Sequence, residues 1–155
     1  MKKQLKLTLL SCLLSIPAIT QAGPKDDIYR KGWIDFNKNG KMDIYEDPSA
    51  PIEERVKDLL SQMNMDEKTC QMATLYGSGR VLADALPTEK WKSEIWKDGI
   101  GNIDEEHNGL GKFGSEYAFP YAKHVKAIHD IQRWFVEETR LGIPVDFTNE
   151  GIRGV

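Results

Sequence analysis

Residues Tyr121–Phe147, YAKHVKAIHDIQRWFVEETRLGIPVDF, indicate the architecture of the chain because they join a long amphipathic helix to a short apolar strand. Apolar side chains recur at helical spacing in the first part of this stretch and predict a helix over Tyr121–Leu141 with one buried face. That face consists of Ala122, Val125, Ile128, Ile131 and Phe135. Gly142 is the residue type that ends a helix, and the apolar run Ile143–Phe147 predicts a strand.

A second apolar run lies upstream at Gly99–Ile103, where flanking turn residues predict another strand. Residues 104–120 contain several glycines and predict a long loop before the helix. A strand, a helix and a strand in this order form a βαβ unit, whose two strands pair in parallel. The sequence therefore predicts an α/β fold.

Shorter helices are predicted before these elements. Apolar residues recur at helical spacing over residues 51–63. Asn64, with Glu67 three residues later, resembles a capping box and predicts the start of a second helix. Residues 88–97 predict a third helix, and we expect its Trp91 in the core, where helical tryptophans are usually found.

Residues 35–46, DFNKNGKMDIYE, match the calcium-binding loop of EF-hands at every specified position. Oxygen ligands would come from Asp35, Asn37, Asn39, Lys41, Asp43 and Glu46. Lys41 would offer only its backbone carbonyl, Glu46 would close the site with two oxygens, and Gly40 permits the sharp turn. Because calcium prefers hard oxygen ligands, the sequence predicts a calcium site in this loop.

Two features of the same loop favour weak binding. Lys38 and Lys41 offset part of the charge of its three carboxylates, and Gly32 and Pro48 exclude the long flanking helices of a calcium sensor. We therefore expect an affinity of about 10⁻⁴ to 10⁻³ M, the range of extracellular modules. The alternative is an Asx-rich turn that holds no metal.

The first residues have the order of a secretory signal peptide. A start rich in lysine precedes the apolar run Leu7–Ile19, and small residues follow it up to Ala22. This run is shorter than the roughly 20 apolar residues that span a bilayer, which disfavours a membrane anchor. Cys12 has too little apolar sequence before it for a lipoprotein signal.

We therefore expect residues 1–22 to be removed and the mature chain to be periplasmic or secreted, beginning with a polar segment over residues 23–50. Cleavage would remove three lysines and no acidic residue, so the net charge would fall from −3 to −6. This charge excludes nucleic acid as an expected partner, and no polybasic segment remains to bind a membrane. Cys70 is the one cysteine left, so an internal disulfide is excluded and a buried, unreactive thiol is favoured.

Two weaker patterns have simple structural interpretations. Gly109, Gly111 and Gly114 match the letters of a dinucleotide-binding fingerprint, but no strand directly precedes them and Pro120 interrupts the helix that should follow. A flexible loop is the better interpretation. The three histidines show no spacing typical of metal ligands, so surface or packing roles are favoured.

Several separated motifs resemble, in the same order, the start of family 3 glycoside hydrolases. Residues 58–63, DLLSQM, and 65–72, MDEKTCQM, resemble the opening helices of that family. Residues 131–133, IQR, 139–144, TRLGIP, and 149–154, NEGIRG, resemble its next helix, its second barrel strand and the turn after that strand.

This resemblance implies that residues 51–155 are the N-terminal portion of a (β/α)₈ TIM barrel that is incomplete in this chain. It also implies an exported retaining glycosidase of the β-glucosidase or β-xylosidase type, which removes β-linked sugars from non-reducing ends of oligosaccharides or β-glycosides. Such an enzyme needs one carboxylate as nucleophile and another as acid and base. In the family both follow later in the barrel, so we expect no catalytic residue in this chain, no activity of the chain alone, and no cofactor for catalysis.

One substrate-binding position of the family falls within the chain. Where the family has an aspartate that binds sugar hydroxyls, Glu150 stands, and Arg153 replaces the usual histidine. Both residues lie just past a predicted strand, where barrel enzymes place their active sites. The alternative is that Glu150 and Arg153 pair only with each other. A different function remains open, a small exported calcium-binding or interaction module without catalysis.

Overall fold

The computed structural model describes residues 28–76, 84–93, 97–104, 117 and 119–149. These residues form three α-helices, five short strands and two 3₁₀ turns, the turns at Ile44–Glu46 and Glu89–Ser93. The helices are α1 (Ile52–Gln62), α2 (Met65–Gln71) and α3 (Tyr121–Glu138). The strands are β1 (Tyr29–Arg30), β2 (Trp33–Ile34), β3 (Thr74–Tyr76), β4 (Asn102–Asp104) and β5 (Asp146–Thr148). In this part of the chain no helix is long and apolar enough to cross a membrane.

The main sheet has the order β3-β4-β5, and both strand pairs are parallel. The predicted strand–helix–strand unit is therefore present as β4, α3 and β5. Both strands begin later than the sequence predicts. Pro144 lacks an N–H, and the neighbouring Val145 N–H and carbonyl are taken by the Gln132 side chain at 2.8 Å each, so the ladder starts only at Asp146.

The strand β3 was not predicted. It follows α2 after a single turn and has only three residues, and it pairs along β4 with Leu75 opposite Ile103. At the start of β4 the chain passes very close to the end of α2, since the Gly101 N–H donates to the Cys70 carbonyl at 3.0 Å. A Cβ at Gly101 would lie 2.2 Å from the Gln71 carbonyl oxygen, so this approach requires glycine.

The core lies between the sheet and the C-terminal half of α3. It consists of Trp91, Ile100, Ile103, Ile131, Trp134, Phe135 and Val145, with Leu75 and Phe147 packed against it. The predicted inner face is correct for Ile131 and Phe135 but wrong near the start of the helix, where Val125 is 65% exposed. The first turns of α3 extend beyond the core, and among the described residues none buries their apolar side chains.

The predicted helices α1 and α2 are confirmed, and so is the capping box, in which Asn64 and Glu67 bond to each other's backbone N–H. The predicted third helix is a 3₁₀ turn in its described part, with Trp91 fully buried as expected. The polar N-terminal segment has more order than its composition suggests. Its strands β1 and β2 form an antiparallel hairpin around Gly32, whose φ is +88°.

Candidate functional site

The carboxyl ends of the three parallel strands form one edge of the sheet. Tyr76, Asp104 and Thr148 are partners in the register there. One residue earlier, Leu75, Ile103 and Phe147 face the core. Because side chains alternate along a strand, the three residues at the edge project from the opposite face of the sheet. We call Tyr76, Asp104 and Thr148, with Asn102 behind them, the carboxyl edge.

Hydrogen bonds tie the polar groups of the carboxyl edge together. The Thr148 hydroxyl lies 2.8 Å from Asp104 Oδ1 and 3.2 Å from Asn102 Oδ1. The Asn102 amide in turn lies 3.5 Å from Asp146 Oδ2. These groups remain accessible, since Asp104 is half-buried and Thr148 is exposed. The edge therefore presents a carboxylate, a hydroxyl and an amide close together at the place where α/β proteins commonly bind ligands.

The sequence-predicted substrate residues Glu150 and Arg153 lie outside the described residues, and so does the glycine-rich run 109–114. The chain nevertheless leads from β5 through Asn149 directly to Glu150. Their assignment to a sugar site remains a prediction. Asp104 and Thr148 were missed as individual candidates, although a polar residue directly after an apolar strand residue was a usable signal in both cases.

The loop of residues 35–46 is a compact turn around two buried carboxylates, Asp35 and Glu46, each 2% exposed. The two oxygens of Asp35 accept the N–H groups of Asn39 at 3.0 Å and Gly40 at 2.8 Å. Those of Glu46 accept the N–H groups of Asn37 at 3.2 Å and Asp43 at 2.9 Å. The loop is thus closed by its own backbone donors.

The remaining predicted ligands gather around Asp43. The side-chain amides of Asn37 and Asn39 donate to Asp43 Oδ2 at 2.5 and 2.7 Å. The side-chain oxygen of Asn39 also accepts the Lys41 N–H at 2.7 Å. The structure therefore brings all six predicted positions into one loop, although it orients several of them towards each other.

The donor set fits a calcium ion in chemistry, since each carboxylate oxygen has more than one lone pair and the loop uses them only in part. Within the described residues, however, no three Asp, Glu, His or Cys side chains come together as a metal site of their own. Calcium binding here would need the Asn37 and Asn39 oxygens and the Lys41 carbonyl as well.

Lys38 has a role that the sequence analysis missed. Its ammonium group donates to the carbonyl oxygens of Phe36 at 2.6 Å, Val136 at 2.9 Å and Thr139 at 2.5 Å, while part of the side chain stays exposed. Val136 lies in the last turn of α3 and Thr139 is its C-cap, a region where the helix carbonyls lack helical partners. Burial of the ammonium lowers the pKa of Lys38 to about 8. No local sequence signal connects positions so far apart in the chain.

No family model matches the chain. Over 114 residues, which are 72% of the chain, it is 32% identical to a protein from Formosa agariphila named "Putative beta-xylosidase". The matched part is 14% of that protein, so the chain spans about one seventh of the length of this curated relative. The chain is thus similar to a small part of a protein whose name describes a glycoside hydrolase. This similarity supports the general relationship that the sequence motifs suggest, and membership of family 3 stays a prediction.

Proposed function

We propose that this chain is the N-terminal part of an exported retaining glycoside hydrolase that removes β-linked xylose or glucose from non-reducing ends. The observation that carries the proposal is the 32% identity over 114 residues to a protein named as a β-xylosidase. Xylosides are favoured over glucosides because of that name. Family 3 is the family that the order of the sequence motifs favours.

The geometry supports a sugar-binding role for this part of the enzyme. Three parallel strands end at one edge, where barrel enzymes collect their active-site residues. Hydrolysis with retention needs two carboxyl groups about 5–5.5 Å apart on either side of the scissile bond. The family resemblance places both beyond Val155, so the chain would orient the sugar while later strands cleave the bond.

Glu150 and Arg153 have distinct proposed roles. Glu150 would accept hydrogen bonds from sugar hydroxyls through its charged carboxylate, and Arg153 would hold that carboxylate in place or donate to the sugar. A hydrogen bond to a charged group contributes about 1.5–3 kcal/mol. Glu150→Gln should therefore lower kcat/KM by about 10- to 100-fold in an active enzyme.

The test begins with the longest open reading frame that contains the chain. Its product should hydrolyse aryl β-xylosides and release xylose first as the β-anomer, which NMR detects. Residues 23–155 alone should be inactive. Glu53→Gln is a matched control for Glu150→Gln because Glu53 is exposed on α1. The proposal fails if the product lacks activity on xylosides and glucosides, or if the fragment itself turns over substrate.

Export is proposed on the signal-peptide pattern alone. Mass spectrometry of the periplasmic or secreted fraction should show an N-terminus at Gly23. An uncut product that stays in the cytoplasm would reject export without affecting the glycosidase proposal.

We propose calcium binding as a separate function of residues 35–46. Its support is the complete match to the calcium-loop template together with the two buried carboxylates that the structure places inside the loop. It is also the function that would remain if the chain were a small exported calcium-binding or interaction module. Calorimetry should show binding of one calcium that disappears in Glu46→Ala, and absence of heat in the unaltered chain would leave an Asx-rich turn.

A further inference from the structure

We propose that Asp104 and Thr148 form a binding position for hydroxyl groups of a neutral sugar, separate from the position of Glu150. This inference rests on the proposed glycosidase function and assigns its substrate contacts to two further residues. Neither residue belongs to the motifs that carry the family resemblance.

Asp104 and Thr148 lie on the face of the sheet that points away from the core. Ile103 is fully buried in the core, so its neighbours Asn102 and Asp104 project from the other face of β4. Phe147 packs on the core in the same way and leaves Asp146 and Thr148 on that opposite face. The described part of this face thus carries polar side chains where a core would need apolar ones, which indicates contact with water or a polar ligand.

Hydrogen-bond acceptors outnumber donors around Asp104 and Thr148. A threonine hydroxyl has one hydrogen, and the Thr148 hydroxyl points it towards the nearer acceptor, Asp104 Oδ1 at 2.8 Å. The Thr148 oxygen then keeps lone pairs, and so does Asp104 Oδ2. The Asn102 amide N–H groups face Asp146, which leaves the Asn102 oxygen on the side of Thr148. The position therefore offers acceptors, and its natural ligand is a group that donates.

The negative charge of this face favours an uncharged ligand. Asp104 and Asp146 place two carboxylates on this face, and a carboxylate repels an anionic ligand that approaches it. Phosphorylated and acidic sugars are therefore disfavoured. Neighbouring hydroxyls of an uncharged sugar supply donors without charge.

The experiment measures sugar binding and turnover separately. Binding of methyl β-xyloside and methyl β-glucoside to the chain is followed by saturation-transfer NMR, and kcat and KM are measured on the product of the longest reading frame. The variants are Asp104→Asn, Thr148→Val and Thr148→Ser. Thr74→Val is the matched control, because Thr74 lies on the same face of the sheet at the opposite, amino end of β3.

We expect Asp104→Asn to weaken binding and raise KM by about 10- to 100-fold, and Thr148→Val by about 2- to 10-fold. Thr148→Ser keeps the hydroxyl and should restore most of the affinity that valine loses. Thr74→Val should change binding by less than about 2-fold. Equal thermal stability of Thr148→Val and Thr74→Val would show that the loss is not a general weakening of the sheet.

The outcomes separate this inference from the proposed function. Sugar binding that depends on Asp104 and Thr148, with no turnover by the longest product, supports the inference and rejects the glycosidase. Turnover with unchanged KM in Asp104→Asn and Thr148→Val rejects the inference and keeps the glycosidase. Absence of sugar binding by the unaltered chain, or an equal loss in Thr74→Val, also overturns the inference.

Discussion

Two regions of this protein use polar side chains in opposite ways. In the first, the loop of residues 35–46 meets the end of α3, and its buried carboxylates Asp35 and Glu46 bond to backbone groups of the protein itself, as does Lys38. We call this contact the loop–helix joint. At the carboxyl edge, by contrast, Asp104 and Thr148 bond to each other and keep acceptors directed away from the core.

A sequence motif and the contacts that its residues make in the fold can point to different roles. Residues 35–46 match a binding template, yet their hydrogen bonds already serve to hold the chain together. The carboxyl edge matches no template, yet its polar groups are accessible and only partly used. A sequence pattern identifies residue types, whereas the number of unused donors and acceptors indicates whether a ligand has something to bind.

The largest predicted effect breaks the loop–helix joint at Gly142, which has a φ of +58°. Gly142 follows the Thr139 C-cap of α3 and does not itself end the helix, contrary to the prediction from the sequence. A Cβ there would lie 2.6 Å from the Phe36 carbonyl oxygen and 2.9 Å from that of Val136. Gly142→Ala should therefore lose about 3 kcal/mol of stability, from the positive φ and the clash together. Thermal or urea unfolding measures the loss.

Gly32→Ala is the matched control for Gly142. Gly32 also has a positive φ, +88°, but a Cβ there would meet nothing within 4 Å. Gly32→Ala should therefore lose only the free energy that a positive φ costs a non-glycine residue, about 1 kcal/mol. Equal losses for the two alanine variants would show that the close approach of the loop to the helix does not contribute to stability.

A smaller effect is predicted for Arg140, which joins the end of α3 to α2. Its guanidinium donates to both oxygens of Glu67 and to the Gln62 carbonyl. Burial acts to raise the pKa of Glu67, but the hydrogen bonds from Arg140 and Asn64 outweigh it and hold that pKa below its ordinary value. Arg140→Met should cost about 2 kcal/mol at neutral pH, less than a fully buried pair because Arg140 is half exposed.

The sign of the pH dependence follows from that lowered pKa. The stabilising contribution is complete above the ordinary pKa of glutamate and is lost as the pH falls through the pKa of folded Glu67. The difference in free energy of unfolding between the wild type and Arg140→Met should therefore become smaller at acidic pH. Arg133→Met, which removes the i,i+4 pair with Glu137, is the control and should cost less than about 1 kcal/mol. If this difference in free energy stays constant down to acidic pH, the stabilising pairing of Arg140 with charged Glu67 is contradicted.

Parts of this architecture could be predicted from the sequence because local rules fix them. Helices α1 and α2 follow from apolar spacing and from the Asn64 cap, and the parallel pairing of β4 with β5 follows from the strand–helix–strand order. The exact start of β5 could not be predicted, because it depends on Gln132 occupying the backbone of Val145 from a different element.

Contacts between distant parts of the chain explain what the sequence analysis missed at the candidate sites. In the sequence, Lys38 indicated only that part of the negative charge of the calcium loop is offset. Its hydrogen-bond partners Val136 and Thr139 lie at the end of α3, about 100 residues later in the chain. The proximity of Asp104 and Thr148 could not be predicted, because it depends on the register between β4 and β5. The template residues 35–46 could be predicted to lie together because one short loop contains them all.

The third prediction concerns Lys38 in the loop–helix joint. Lys38→Met removes hydrogen bonds to three carbonyls and should cost about 1 kcal/mol at neutral pH. Because burial lowers its pKa to about 8, folded Lys38 loses its proton at a lower pH than the unfolded chain does. Unfolding then takes up a proton above pH 8, and the free energy of unfolding of the wild type should rise with pH relative to Lys38→Met. Lys41→Met, at an exposed position of the same loop, is the control.

The opposite slope for Lys38 would be informative. A wild-type advantage that shrinks above pH 8 would mean that the carbonyl oxygens and the negative end of α3 hold the ammonium charge more strongly than burial opposes it. The joint would then depend on the charged form of Lys38.

The smallest predicted effect, from calcium, tests the comparison itself. Asp35 and Glu46 each accept two backbone N–H groups, and a carboxylate has about four lone-pair sites, so capacity for a cation remains. With a Kd of about 1 mM, 2 mM calcium should add about 0.6 kcal/mol to stability. Magnesium at the same concentration should add less, since it demands stricter octahedral geometry. Glu46→Gln should abolish the gain, whereas Glu53→Gln outside the loop should keep it. If the unfolding midpoint is the same with calcium and with a chelator, the carboxylates of the loop–helix joint serve the structure alone. Of the two regions, the carboxyl edge would then be the one whose polar groups are available to a ligand.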